Sequence, residues 1–153
     1  MDKKLLFTGL LIFLLLISCD NKIADPIPDV YFSIELNIKA ETQFFYLNTQ
    51  DNAMEISARQ VGVSYLGYDN NGIIIYNAGS GIFYAFDRTC PNEIPNSVVT
   101  SLTSNNIATC PVCKSQYVLP SEGAPANGSV SQYYLKRYKT SYNANTGVLY
   151  VYN

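Results

Sequence analysis

Residues 73–86 read IIIYNAGSGIFYAF, and they decide the class of fold. Ile73 to Tyr76 is an apolar, β-branched run bounded before it by Asn70-Asn71-Gly72. Asn77-Ala78-Gly79-Ser80-Gly81 follows, and Gly, Asn and Ser are the residues that supply turn conformations. Ile82 to Phe86 is a second short apolar run, so the two runs form a hairpin. The same grammar extends in both directions. Val30 to Ile38 (VYFSIELNI) alternates with a period of two. Val98 to Leu102 and Ile107 to Thr109 flank an Asn105-Asn106 turn. Leu135 to Tyr142 and Val148 to Tyr152, joined through Asn143-Ala144-Asn145-Thr146-Gly147, close the chain. Only Phe44 to Asn48 reads as a helical piece. Seven or more short strands without a helical period predict an all-β, antiparallel sandwich or barrel. Thirteen tyrosines against two methionines and no tryptophan suit half-buried β surfaces with wet rims.

The beginning of the chain reads differently. Met1-Asp2-Lys3-Lys4 is a short basic start, and Leu5 to Ile17 is apolar except at Thr8 and Gly9. This is signal-peptide length, short of the roughly 20 residues needed to span a bilayer. Leu16-Ile17-Ser18-Cys19 has the form of a lipobox, with polar Asp20-Asn21-Lys22 after it. The expected organisation is a lipoprotein signal peptide over 1–18, a lipid-anchored tether over 19–29 containing Pro26 and Pro28, and a β domain over 30–153. The expected location is the bacterial cell envelope, on the periplasmic or outer-membrane side, with the membrane as a partner through lipid on Cys19.

Cys19 to Asn153 comprises 135 residues, enough for one domain with one sizeable core. Eight basic and eleven acidic residues remain after Ser18, about −3 net and with no basic block. Nucleic acid is therefore not an expected partner. The chain has no histidine, which removes Ser-His-Asp and Cys-His catalysis and every His-dependent metal site. Without it, carboxylates such as Asp87 and Glu93 have no nucleophile to serve, and no catalytic residue is expected. Asp87 and Arg88 read as a surface ion pair bracing the adjacent loop. Asn127-Gly128-Ser129 reads as loop chemistry.

With Cys19 assigned to lipid, Cys90, Cys110 and Cys113 remain, an odd set for an oxidising compartment. They stand in two loops that each follow a strand: Cys90-Pro91-Asn92, and Cys110-Pro111-Val112-Cys113-Lys114-Ser115-Gln116-Tyr117. A Cys-Pro-x-Cys turn lets two thiolates converge on one metal, and the first loop offers Cys90 and Asn92.

In this two-loop order the chain resembles the Rieske domain family. That family holds a [2Fe–2S] cluster between Cys-x-His and Cys-x-x-His loops, each giving one Cys to one iron and one His to the other. Cys110, Pro111, Ser115 and Tyr117 match the family's second loop in place. GIFYAFDR, residues 81–88, resembles the strand before its first loop, and LKRYKTSYNANTGVLYV, residues 135–151, its final hairpin. The resemblance covers roughly residues 55 to 153. It implies an electron-transfer module, a redox or envelope protein partner, and a small lobe near Phe83 to Leu119 with both loops at its tip.

The implied ligand set is Cys90, Asn92, Cys110 and Cys113, with Ser115 and Tyr117 hydrogen-bonding to sulfur. Both family imidazoles are replaced, by Asn92 and Cys113, so high-potential His-ligated iron is excluded. Export also matters: a cluster is inserted before translocation and needs a twin-arginine signal, whereas this signal carries Lys3-Lys4. Four readings remain open at this level. They are an iron–sulfur cluster, a mononuclear zinc or iron site, a metal-free binding or scaffold domain with one disulfide, and unrelated cysteines in separate loops.

Overall fold

A computed structural model describes residues 25–153. It contains ten strands and three short 3₁₀ turns. A six-stranded sheet has the spatial order β1 (Ser33–Asn37), β10 (Val148–Tyr152), β9 (Arg137–Asn143), β4 (Ile82–Asp87), β3 (Ile73–Gly79), β2 (Ala53–Ile56). A four-stranded sheet runs β5 (Ser101–Ser104), β6 (Ile107–Thr109), β7 (Gln116–Val118), β8 (Ala124–Pro125). All pairings are antiparallel. The fold is all-β, as the turn-punctuated sequence predicts. The piece near Phe44 is a 3₁₀ turn over Thr42–Asn48 that buries Phe44 and Leu47.

The β3–β4 hairpin explains why Ile73 to Tyr76 does not alternate in polarity. Ile73 and Ile75 face one apolar cluster, shared with Leu36, Phe44 and Leu149. Ile74 and Tyr76 face a second, shared with Phe86, Cys90, Cys110 and Tyr117. A strand with a core on each face must be apolar throughout. Its turn passes through positive φ at Gly79, Ser80 and Gly81. Gly79, at φ +84, lies in the left-handed region that favours glycine. Edge strand β1 has only one covered face. Ile34 and Leu36 are buried while Ser33 and Glu35 are exposed, the period-two pattern of its sequence.

The small lobe differs from expectation at its start. Phe83 belongs to the large sheet, and the second sheet begins only at Ser101, after a single Thr89–Val99 bridge. Strand β2 lies outside the hairpins expected from sequence. Its Glu55 joins the sheets, pairing with Arg88 at 2.7 Å and accepting from Leu102 N–H at 2.7 Å.

Residues 25–29 of the expected tether are held against the domain. Lys136 Nζ lies 2.8 Å from Asp29 Oδ1, 3.3 Å from Asp25 Oδ2 and 3.0 Å from the Ile27 carbonyl. Ile27 itself is buried. Burial would depress the Lys136 ammonium, but Asp29 and Asp25 outweigh it and hold the pKa above its ordinary value. The expected signal peptide, 1–18, and the expected lipidation site, Cys19, lie outside the described residues. Among the described residues, no helix is long and apolar enough to cross a membrane.

Candidate metal centre

Cys90 is delivered by the end of β4. Asp87, fully buried, accepts from Thr89 N–H at 2.7 Å, Tyr68 N–H at 2.6 Å and the Tyr138 hydroxyl at 2.6 Å. A carboxylate out of water is tolerated when donors fill its lone pairs in this way. The expected Asp87–Arg88 surface pair is therefore absent. Successive strand residues point to opposite faces, so Asp87 turns into the protein while Arg88 reaches Glu55 on the other side. Beyond this brace, Cys90 N–H donates to the Val98 carbonyl at 2.8 Å and Glu93 N–H to the Cys90 carbonyl at 3.0 Å.

The second loop is the turn between β6 and β7. Cys110 N–H donates to the Ser115 carbonyl at 2.9 Å, and Lys114 N–H to the Cys110 carbonyl at 3.1 Å. Lys114 has φ +61, a left-handed residue that closes the turn. The Lys114 ammonium is 2.5 Å from the Pro111 carbonyl.

The two loops meet at their sulfurs. Cys90 Sγ and Cys113 Sγ are 3.7 Å apart, and the three sulfurs, Cys110 included, lie within 4.8 Å of one another. All three thiols are free. Cys90 and Cys110 are buried and Cys113 is half-buried. The Tyr117 hydroxyl stands 3.3 Å from Cys90 Sγ, and Ser115 Oγ 3.2 Å from Cys113 Sγ. Both residues expected behind the cysteines are there. Asn92 is half-buried, and its backbone N–H is directed at Cys90 sulfur.

These contacts divide the thiols. Burial pushes Cys90 up to about 12, with the Tyr117 hydroxyl and the Asn92 N–H opposing it. Partial burial also acts to raise Cys113. The Ser115 hydroxyl and N–H, with smaller contributions from the neighbouring thiols, outweigh it and lower that group. Tyr117 is raised far above the phenol range, by burial first and by its bond to Cys90 second. One thiol is thus held protonated while its 3.7 Å neighbour favours the thiolate, the species that binds metal.

Sequence reading did not find Ser131, whose N–H donates at 2.9 Å to Ser115 Oγ, the oxygen that stands 3.2 Å from Cys113 Sγ. Sixteen residues separate them, and Ser131 sits in an irregular segment with no motif. The brace made by Asp87, Tyr68 and Tyr138 is equally non-local.

A two-iron cluster takes two protein ligands on each iron. The chain offers three thiols here and no imidazole. Cys90 and Cys113, which the Rieske pattern assigns to different irons, stand at single-ion spacing: two thiolates on one zinc, with bonds of about 2.3 Å and a tetrahedral angle, are about 3.8 Å apart. The residues do not fit a [2Fe–2S] cluster. They fit one thiophilic ion.

No family model matches the chain, and no curated protein matches it. Among solved structures it is similar to a protein of Mycobacterium tuberculosis described as an NADH-dependent nitrite reductase small subunit. The two are 9% identical, the match covers 82% of this chain and 97% of that one, and the TM-score is 0.42.

Proposed function

We propose that this is a metal-binding domain on a Rieske-like scaffold, carried by a lipoprotein of the bacterial envelope and anchored through lipid on Cys19. The observation behind the metal reading is the convergence of Cys90, Cys110 and Cys113 sulfurs within 4.8 Å. The ion is single and thiophilic, of the zinc or iron class, since soft thiolates select such metals. Iron at this site makes the domain an electron carrier for a redox partner in the envelope, whereas zinc, which has no redox chemistry, does not. The anchoring reading rests on the basic start, the apolar run and Ser18-Cys19.

Elemental analysis of protein purified without oxygen tests the reading. One zinc or iron per chain is the expected result, lost when any of the three cysteines becomes serine. A wild-type protein that retains no metal after loading with zinc, or with iron under reducing conditions, defeats it.

A second reading draws on the 3.7 Å approach of Cys90 and Cys113. A modest side-chain shift closes that gap to a disulfide, leaving Cys110 as the free thiol of a metal-free binding or scaffold domain. Alkylation followed by peptide mass analysis separates the two states: the disulfide state labels one cysteine, the metal-stripped thiol state three.

A further inference from the structure

We infer that the ion held by Cys90, Cys110 and Cys113 keeps one coordination position open, and that this position takes a neutral nitrogen donor of the imidazole class from outside the chain. The inference rests on the single-ion reading above.

Ligand count comes first. Among the described residues, the cluster around the sulfurs contains cysteines only, with no aspartate, glutamate or histidine. Three polar groups stand on the sulfurs. The Tyr117 hydroxyl stands on Cys90 Sγ, Ser115 Oγ stands on Cys113 Sγ while accepting from Ser131, and the Asn92 N–H is directed at Cys90. A zinc-class ion takes four ligands, and three protein ligands leave the fourth place to solvent or an incoming group.

Access comes second. Cys90 and Cys110 are sealed, but Cys113 is half-buried. Its neighbours Pro111 and Lys114 are exposed, and Val112 is 59% exposed. The way in is therefore over the second loop, on the Cys113 side.

Charge decides what enters. Three thiolates around a divalent ion sum to one negative charge, beside apolar Phe86, Ala108 and Leu135 of the same cluster. Lys114 is exposed, and its ammonium is taken up by the Pro111 carbonyl. An anionic fourth ligand would add a second negative charge, which a low-dielectric surround penalises. A neutral donor adds none, and among neutral donors imidazole is a good ligand for zinc-class ions. This chain has no histidine, so the donor must be supplied from outside.

Cobalt(II) is the probe ion, because its visible bands report its ligands. The full-length chain loaded with cobalt(II) is titrated with imidazole, with a Gly-His-Gly peptide, and with acetate. We expect the bands to shift and saturate at one imidazole per ion, with half-saturation at roughly tenfold or more lower concentration than for acetate. If the peptide shifts the bands as imidazole does, the donor is a protein side chain. If imidazole alone does, it is a small free ligand. Thiolate-bound cobalt whose spectrum ignores imidazole, or that prefers acetate, overturns the open-position inference and leaves the metal reading intact. Failure to bind cobalt through thiolates removes the metal reading itself.

Discussion

The Tyr138 hydroxyl of β9 donates to Asp87 Oδ2 of β4 at 2.6 Å, and the same carboxylate group accepts from Thr89, one residue before Cys90. The loop that carries Cys90 is thus tied to the centre of the large sheet through one buried anion. The Tyr138 phenol sits far above its ordinary pKa, through burial first and Asp87 second. It stays a donor at any pH the fold tolerates.

Tyr138→Phe removes one of three donors and leaves Asp87 under-satisfied. It should cost about 1–3 kcal/mol, read as a lower midpoint in urea with unchanged slope. Metal occupancy at low metal concentration should fall with it, because the first loop loses its anchor. Unchanged stability would show that water replaces the hydroxyl without loss.

Metal stoichiometry separates the contributions of the site residues. Cys90→Ser, Cys110→Ser and Cys113→Ser should each abolish retention through gel filtration. Asn92→Ala should change it little, since a neutral amide is a weak donor. Asn92→His should tighten zinc binding by supplying an imidazole for a Cys₃His set. An Asn92→Ala variant as empty as the cysteine variants would make Asn92 a true ligand.

Alkaline pH should destabilise the metal-free domain. Cys90 holds its proton up to about 12 when folded, but an unfolded cysteine releases it near 8.5. Between those values the folded state binds the extra proton, so stability falls as pH rises, by ~1.4 kcal/mol per pH unit from this group. Below the unfolded value its contribution is fully present. Tyr76, also raised to about 12 by burial and by Asp51, steepens the slope above pH 10. Urea midpoints from pH 8 to 11 should drop, and Cys90→Ser should flatten the fall between 9 and 10. A profile identical to wild type would mean that the Cys90 thiol is not buried as described.

Processing at the beginning of the chain gives a test independent of the fold. Cys19→Ser should abolish lipid attachment and leave the precursor uncleaved or released. A variant that stays firmly in the membrane fraction at the mature mass would remove the lipoprotein reading.

The strand grammar was legible because it is local. A turn such as Gly79-Ser80-Gly81 announces itself through residues that tolerate positive φ, and the hairpins β3–β4, β5–β6 and β9–β10 appear where those turns predict. The two cysteine loops were legible as spacing within a few residues, and Ser115 and Tyr117 behind them through the resemblance to the Rieske second loop. Strands β7 and β8, at three and two residues, are too short to show a period.

Tertiary structure alone decided the rest. Sequence could place Asp87 beside Arg88, but not show that strand alternation sends one inward to Tyr138 and the other across to Glu55. It could count three thiols, but not bring Cys90 within 3.7 Å of Cys113 across 23 residues. Nor could it assign them opposite pKa shifts, because desolvation and hydrogen bonding depend on what packs around a group. Chain-local chemistry made this a β protein with two cysteine loops. The packing of two sheets, through contacts distant in sequence, turned those loops into one site where three sulfurs converge.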